Sequence, residues 1–104
     1  MIDPLFDMKI RIVDLIIKSI KGNGYTKKSR TIQLLGCDYI IFKNHIENQF
    51  VDGMSWENHG EWHFDHIYPN ALCKTETELI KNQNYLNFQP LWAIDNLRKG
   101  KKIA

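Results

Sequence analysis

The spacing of apolar residues changes along the chain, and this change constrains the fold more than any other feature. Residues 8–21 carry apolar side chains at helical intervals, which predicts an amphipathic helix with a basic outer side and a core face of Ile10, Ile12, Val13, Ile16, Ile17 and Ile20. Gly22 and Gly24 end that pattern. Residues 61–67 alternate instead, which predicts a strand with one side formed by Trp62, Phe64 and His66. Helices followed by strand-period segments indicate an α+β fold.

Two more helices are predicted before the strand. After a flexible turn at 22–28, Thr31 begins a short helix that Gly36 closes. Asp38 caps a longer helix over 39–50, whose predicted core residues are Ile40, Ile41, Phe42, Ile46 and Phe50. Residues 51–60 form a loop, which we expect to be held on the core by its large apolar side chains, Met54 and Trp56.

The C-terminal part is predicted to be a hairpin with a closing helix. The first strand turns at Pro69, and a capping box of Thr75 and Glu78 begins a short helix over 75–83. A return strand over 85–89 and a last helix over 91–100 follow. With 104 residues the chain is expected to be one domain, in which residues 1–60 form a helical extension and residues 61–102 form the core.

Charge is distributed unevenly, although the net charge is only +2. Residues 9–30 and 81–104 are basic, whereas residues 31–80 are acidic. Basic ends around an acidic centre suit phosphate contacts around a cation site, and the arm that contains Lys27, Lys28 and Arg30 is one candidate. The alternative is that these ends are merely solvated.

The cysteines argue against a zinc-ribbon protein, and the N-terminal apolar stretch argues against a secreted one. Cys37 and Cys73 belong to no C-x-x-C pair, so no zinc ribbon is visible and both are expected to be buried free thiols. The stretch 12–17 is short, contains Asp14 and precedes no cleavage site, so it does not resemble a signal peptide. We expect an intracellular protein with no membrane partner.

Three segments together resemble one family. WHFDHIYP, NYLNFQPL and AIDNLRKGKK are similar to the HNH endonucleases, also called ββα-metal nucleases, in their H-N-N variant. The likeness covers residues 62–102, and residues 34–62 also resemble an extension found in phage and viral members. The family pattern is matched by Asp65-His66, by Asn87, and by Asn96 with Lys99.

The resemblance implies a β-hairpin and a helix that clamp one metal ion. Asp65 and Asn96 would be its ligands, and such oxygen donors suit Mg²⁺, with Mn²⁺ or another divalent cation as alternatives. His66 would be the general base, because its reference pKa is close to the working pH. Asn87 would support catalysis by holding the loop that carries His66 and orienting its imidazole. Many relatives also have a four-cysteine zinc site, which this sequence lacks, so no structural zinc is expected.

Nucleic-acid contacts are expected from the basic C-terminal part. Lys99 lies one helical turn after Asn96, and Arg98, Lys99 or both would reach the phosphate, with Lys101 and Lys102 close by. His63 has three open interpretations: metal ligation, DNA contact, or packing on the hairpin, of which the last two are favoured. His45 and His59 are interpreted as bystanders, and core roles are assigned to Trp56, Trp62, Phe64, Phe88 and Trp92.

The function expected from the resemblance is that of a DNA endonuclease. With one base and one metal site, we expect it to nick double-stranded DNA. We also expect a monomer, because a core this small should use up the apolar faces of the helices over 8–21 and 38–50. Two alternatives are weighed against it. One is a DNA-binding module that retains the scaffold without turnover. The other is a structural zinc or protein-interaction domain that uses His59, His63, His66 and Cys73.

Overall fold

The computed structural model describes residues 3–103 and has an α+β fold, as expected. A two-stranded antiparallel sheet lies among helices. In chain order the elements are α1 (Pro4–Gly22), α2 (Thr31–Leu35), α3 (Tyr39–Glu47), β1 (Trp62–His66), α4 (Glu76–Lys81), β2 (Phe88–Trp92) and α5 (Ala93–Lys99). Two short 3₁₀ turns lie at Asn70–Leu72 and Tyr85–Asn87. None of the helices in this described range is long and apolar enough to cross a bilayer.

Helix α1 begins four residues earlier than predicted, because Asp3 accepts a hydrogen bond from the Leu5 amide and Pro4 occupies the first turn. Its buried face includes Met8, Ile12, Ile16 and Ile20, and it packs against α3. Ile10 was predicted to be a core residue, but its side chain is exposed because it lies outside this face.

Helices α2 and α3 begin at the predicted residues. Gly36 ends α2 with a φ of 76°, a backbone conformation that favours glycine, and the Asp38 carboxylate caps α3 by accepting from the Ile41 amide. Helix α3 ends at Glu47, three residues before the predicted boundary. Phe42 and Ile46 form its buried stripe. The prediction that Ile40 and Ile41 face the core is therefore wrong, and both are exposed.

The hairpin is offset from the predicted one. Strand β2 runs over Phe88–Trp92 instead of residues 85–89, because Asn84 caps the Leu86 amide and holds residues 85–87 in a 3₁₀ turn. Pro90 therefore lies inside the strand, opposite Phe64, and does not precede the helix. Both strands of a two-stranded sheet are edge strands, and edge strands tolerate proline. Helix α5 consequently begins at Ala93 and not at residue 91.

The segment between the strands contains the predicted short helix, but α4 is shorter than expected. Thr75 accepts a hydrogen bond from the Glu78 amide and begins the helix, as predicted, and the helix ends at Lys81. Gln83 was predicted to lie on this helix. It instead lies just beyond it and is fully buried.

The core joins the helices to the hairpin through aromatic rings. Phe42 on α3 packs edge-to-face against Phe64 of β1 and Phe88 of β2, with ring centroids 5.3 and 5.6 Å apart. The loop at 51–60 packs on this core through Met54 and Trp56, as predicted. The prediction of buried cysteines is wrong, because Cys37 and Cys73 are both only half-buried, although both are free thiols.

Candidate functional site

A cleft of about 290 Å³ lies where the end of β1 meets α5. It brings together four residues that the sequence predicted as site residues, although they are as many as 34 positions apart: Asp65, His66, Asn96 and Lys99. The hairpin register explains half of this arrangement, since Asp65 pairs with Gln89 and His66 with Phe88 at the end of the ladder. Helix α5 follows β2 directly and packs against both strands, which carries Asn96 and Lys99 to the same place.

Asp65 is a buried carboxylate with two side-chain donors. Its side chain and that of Lys99 are each only 8% exposed, and Lys99 Nζ lies 3.1 Å from Asp65 Oδ2. Gln89 Nε2 donates to the same oxygen at 2.9 Å. Lys99 also donates to the backbone carbonyl of His66 at 2.7 Å. Lys99, which was predicted to reach a phosphate, therefore fastens α5 to the end of β1 in this structure.

His66 is held by one hydrogen bond and one ring contact. Its Nε2 lies 2.8 Å from Gln83 Oε1, and its ring packs against Phe88 with centroids 4.4 Å apart. Burial lowers the pKa of the imidazole from its usual value, and the Lys99 charge acts in the same direction. The Gln83 hydrogen bond and the Asp65 charge oppose this lowering without cancelling it. The imidazole is therefore neutral at physiological pH.

Asn87 bonds to the loop that follows His66, but within residues 3–103 its side-chain hydrogen bonds go to Tyr68 and Asn82 and not to the imidazole. Its Oδ1 accepts from the Tyr68 amide at 2.9 Å, and its Nδ2 donates to the Asn82 carbonyl at 2.9 Å. These contacts face a separate groove of about 610 Å³, which Tyr68, Asn82 and Asn87 help to line. The imidazole contact expected from Asn87 is made by Gln83. No local pattern predicts that contact, because it joins residues 17 positions apart.

The other predicted nucleic-acid residues are distributed over two regions. Arg98, Lys101 and Lys102 are exposed at the end of α5, and Lys101 also lines the cleft. His63 is exposed on β1, where its neighbours Trp62 and Phe64 are buried. The arm with Lys27, Lys28 and Arg30 precedes α2, and Lys28 shares a small pocket with Glu76 and Ile80 of α4. The arm is therefore near α4 and contributes no residue to the cleft lining.

A four-ligand zinc site does not form from the histidines and Cys73. His59 is stacked on Trp62 with ring centroids 4.0 Å apart and planes 8° from parallel, so it is a buried packing residue. Within residues 3–103, no three side chains of His, Cys, Asp or Glu lie close enough together to hold a metal ion. The cleft instead presents one carboxylate, Asp65, and one amide, Asn96. That donor chemistry fits a hard cation such as Mg²⁺, which keeps several water ligands and needs few from the protein.

Comparison with known proteins gives relatives without an assigned activity. No family model matches the chain, and no solved structure is significantly similar to it. Uncharacterized protein L426 of Acanthamoeba polyphaga mimivirus is 39% identical over 107 residues, which cover 97% of this chain and 45% of that protein. Uncharacterized protein L246 of the same virus is 38% identical over 101 residues, which cover 96% of this chain and 40% of that protein. The chain thus spans less than half the length of these curated relatives.

Proposed function

We propose that this chain is an HNH-type, metal-dependent endonuclease that nicks double-stranded DNA. The observation that supports the proposal is the shared cleft of Asp65, His66 and Asn96, which come from the end of one strand and from the following helix. A carboxylate, a neutral imidazole and an amide oxygen in one cleft are the groups that phosphodiester hydrolysis by this route requires. The order of elements also supports the proposal, since an antiparallel hairpin is followed directly by helix α5, as the resemblance implies.

His66 is the general base in this proposal. A base must be unprotonated to accept the proton of the attacking water, and burial in the cleft keeps this imidazole neutral at physiological pH. Asn87 holds the backbone that follows His66 through its bonds to the Tyr68 amide and carbonyl, at 2.9 and 3.2 Å. A fixed backbone keeps the imidazole at a constant distance from the bound phosphate.

Asp65 and Asn96 are the residues that would hold the cation. When bound, a divalent cation neutralises the charge that develops on the phosphate oxygens. In this structure Lys99 neutralises the Asp65 carboxylate, so Lys99 must release or share that carboxylate when the cation binds. Lys99 would then be free to bind the substrate phosphate, which reconciles its contacts here with the role predicted from the sequence.

The basic residues outside the ion pair would supply non-specific contacts to the DNA backbone. Arg98, Lys101 and Lys102 are exposed at the end of α5, where Lys101 also lines the cleft, and they would bind phosphates near the scissile bond. His63 and the arm of Lys27, Lys28 and Arg30 lie outside the cleft lining and would bind the duplex further away. Contacts of this kind position a duplex but read no sequence.

Incubation with supercoiled plasmid tests the proposed function. The purified protein is supplied with EDTA, Mg²⁺ or Mn²⁺, and the products are separated on an agarose gel. We expect open circles with Mg²⁺ or Mn²⁺ and none with EDTA. Failure to cut with either ion would contradict the endonuclease function, and shift assays with labelled duplex would then distinguish a binding module without turnover.

The order of products tests the proposed nickase activity. One base and one cation site attack one phosphodiester bond at a time, so a monomer must nick before it can linearise a plasmid. We expect open circles to accumulate well before linear molecules appear. Linear product formed directly from supercoil at low protein concentration, together with a dimeric mass in solution, would show two sites acting in a symmetric dimer.

A further inference from the structure

Gln83 is a fully buried polar side chain whose amide nitrogen and oxygen both have hydrogen-bond partners within the protein. Its solvent exposure is 0%, and it lies just after α4 instead of on it. Its Nε2 donates to the Leu79 carbonyl and to Asn70 Oδ1, each at 3.0 Å. Its Oε1 lies 2.8 Å from His66 Nε2. Burying an amide is costly unless its groups are paired, and here each one is paired.

These contacts fix which way the amide points. The Leu79 backbone carbonyl can only accept a hydrogen bond, so the Gln83 atom beside it must be the NH₂ group. Turning the amide over would bring two acceptor oxygens together. The oxygen of Gln83 therefore faces His66, independently of how the amide atoms are assigned.

The orientation of Gln83 in turn fixes the tautomer of His66. An oxygen acceptor at 2.8 Å requires that Nε2 carry the proton and donate it. In a neutral imidazole the lone pair then lies on Nδ1. Within residues 3–103, the one fully enclosed side-chain nitrogen or oxygen without a hydrogen-bond partner is Nδ1 of His59, so Nδ1 of His66, for which no partner is found there, keeps some access to solvent.

We infer that Gln83 is a positioning residue that holds His66 as the Nε2–H tautomer and leaves Nδ1 as the atom that accepts the proton of the attacking water. The base role rests on the proposed function, whereas the tautomer and the Gln83 contact do not. Gln83 thus has the orienting role toward the imidazole that the resemblance assigned to Asn87. This role accounts for the burial of a glutamine side chain against His66.

Nitrogen-15 NMR of the full chain at slightly alkaline pH tests the tautomer directly. Long-range nitrogen–proton correlations identify which nitrogen of His66 carries hydrogen. We expect one neutral tautomer with the proton on Nε2, and we expect that proton to exchange slowly with water because Gln83 is buried. A proton on Nδ1, or an Nε2 proton that exchanges freely, would overturn the inference without any variant being made.

Gln83→Met removes the acceptor while keeping the length of the side chain. We expect the slow exchange of the Nε2 proton to be lost and kcat for nicking to fall about 10–100-fold with KM little changed. The matched control is Gln49→Met, since Gln49 is a half-buried glutamine that binds the carbonyls of His45 and Phe88 and not His66. The control should keep the wild-type His66 signals and kcat.

Two outcomes separate this inference from the proposed function. A Gln83→Met variant that folds with an unchanged Nε2 signal and unchanged kcat would overturn the positioning role. A wild-type chain that shows the protected Nε2 proton but does not nick DNA would uphold the Gln83 contact and contradict the nuclease function instead.

Discussion

The helical half and the hairpin half of the molecule bury different kinds of side chain. In the helical half, residues 4–47, the fully buried side chains are apolar: Met8, Ile12, Ile16, Leu35, Phe42 and Ile46. In the hairpin half, residues 62–99, apolar residues such as Trp62 and Phe88 share the interior with Asp65, Gln83 and the Lys99 side chain. Polar groups are buried in the helical half too, but they are neutral hydroxyls such as Ser19, which bonds to its own helix.

The buried charges of the hairpin half indicate a functional role. Burying charge costs free energy that the pairing of charges often fails to recover, so a buried ion pair is weak support for stability. A hairpin selected for stability alone would place apolar residues at Asp65 and Lys99. The interior of the helical half contains apolar side chains and neutral hydroxyls, whereas the hairpin half also buries charged groups whose cost is explained by the proposed chemistry.

The largest expected effect on stability lies in the helical half. Phe42 is fully buried between α1 and the hairpin strands, so Phe42→Ala should lower the free energy of unfolding by about 3–5 kcal/mol. Chemical denaturation measures this loss. Phe6→Ala is the control, because Phe6 on α1 is 59% exposed and its truncation should change stability by about 0.5 kcal/mol or less. Equal losses for the two variants would contradict the proposed role of the helical core.

For the ion pair of Asp65 and Lys99 in the hairpin half, removing both side-chain charges should cost less stability than removing one. Asp65→Leu alone leaves Lys99 buried without its partner and should cost about 3 kcal/mol. The double variant Asp65→Leu, Lys99→Met removes both charges and should recover stability to within about 1 kcal/mol of wild type, while abolishing nicking. Chemical denaturation of wild type, the single variant and the double variant measures stability, and plasmid assays on the same proteins measure nicking. A double variant less stable than Asp65→Leu would show that the pair is a stabilising element.

The sequence predicted the helical half better than the hairpin half. Caps and periodicity are local, so Thr31, Asp38 and the face of Ile12, Ile16 and Ile20 were predicted correctly. The buried face of the short helix α3 was predicted only in part, because its orientation depends on the elements that it packs against. That is why Ile40 was wrongly placed in the core.

The residues that line the candidate cleft were identified by pattern, whereas their contacts were not predicted. Asp65, His66 and Asn96 were identified from their resemblance to a family, and they line one cleft. Pro90 was interpreted as a helix-preceding residue, which displaced the predicted return strand by three positions. The contact of Gln83 with His66 depends on where the segment between the strands turns back, which no single residue type signals.

A smaller effect is expected from the histidine at the junction of the two halves. Burial lowers the pKa of His59 from 6.5 to about 4, and the charges of Arg11 and His63 act in the same direction while that of Asp7 opposes them. The unfolded chain then binds more protons between these values, so stability should fall by about 1–3 kcal/mol as the pH drops from 6.5 to about 4. His59→Phe keeps the stacking on Trp62 and removes the titration. If wild type and His59→Phe lose stability in parallel over this range, burial of neutral His59 is not the cause.

The smallest expected effect concerns the exposed lysines after α5. If Lys101 and Lys102 contact phosphates, replacing both with Ala should reduce the slope of log affinity against log salt by about 1–2 units, whatever the DNA sequence. Fluorescence anisotropy with labelled duplexes at several salt concentrations measures the slope. Lys43→Ala is the control, since Lys43 is paired with Glu47 at 3.1 Å on α3. An unchanged slope in the double variant would show that these lysines do not touch DNA.

Two histidines of the same strand differ in whether they line the cleft, and their variants test whether the cleft is the catalytic site. His66 lines the cleft, whereas His63 is exposed on β1 outside it. If His66 is the base, His66→Ala should lower kcat for plasmid nicking about 10²–10⁴-fold. His63→Ala removes only a contact to the duplex outside the cleft, so it should weaken DNA binding and leave kcat close to wild type. A His66→Ala variant that nicks at more than about a tenth of the wild-type rate would contradict the assignment of the cleft as the catalytic site.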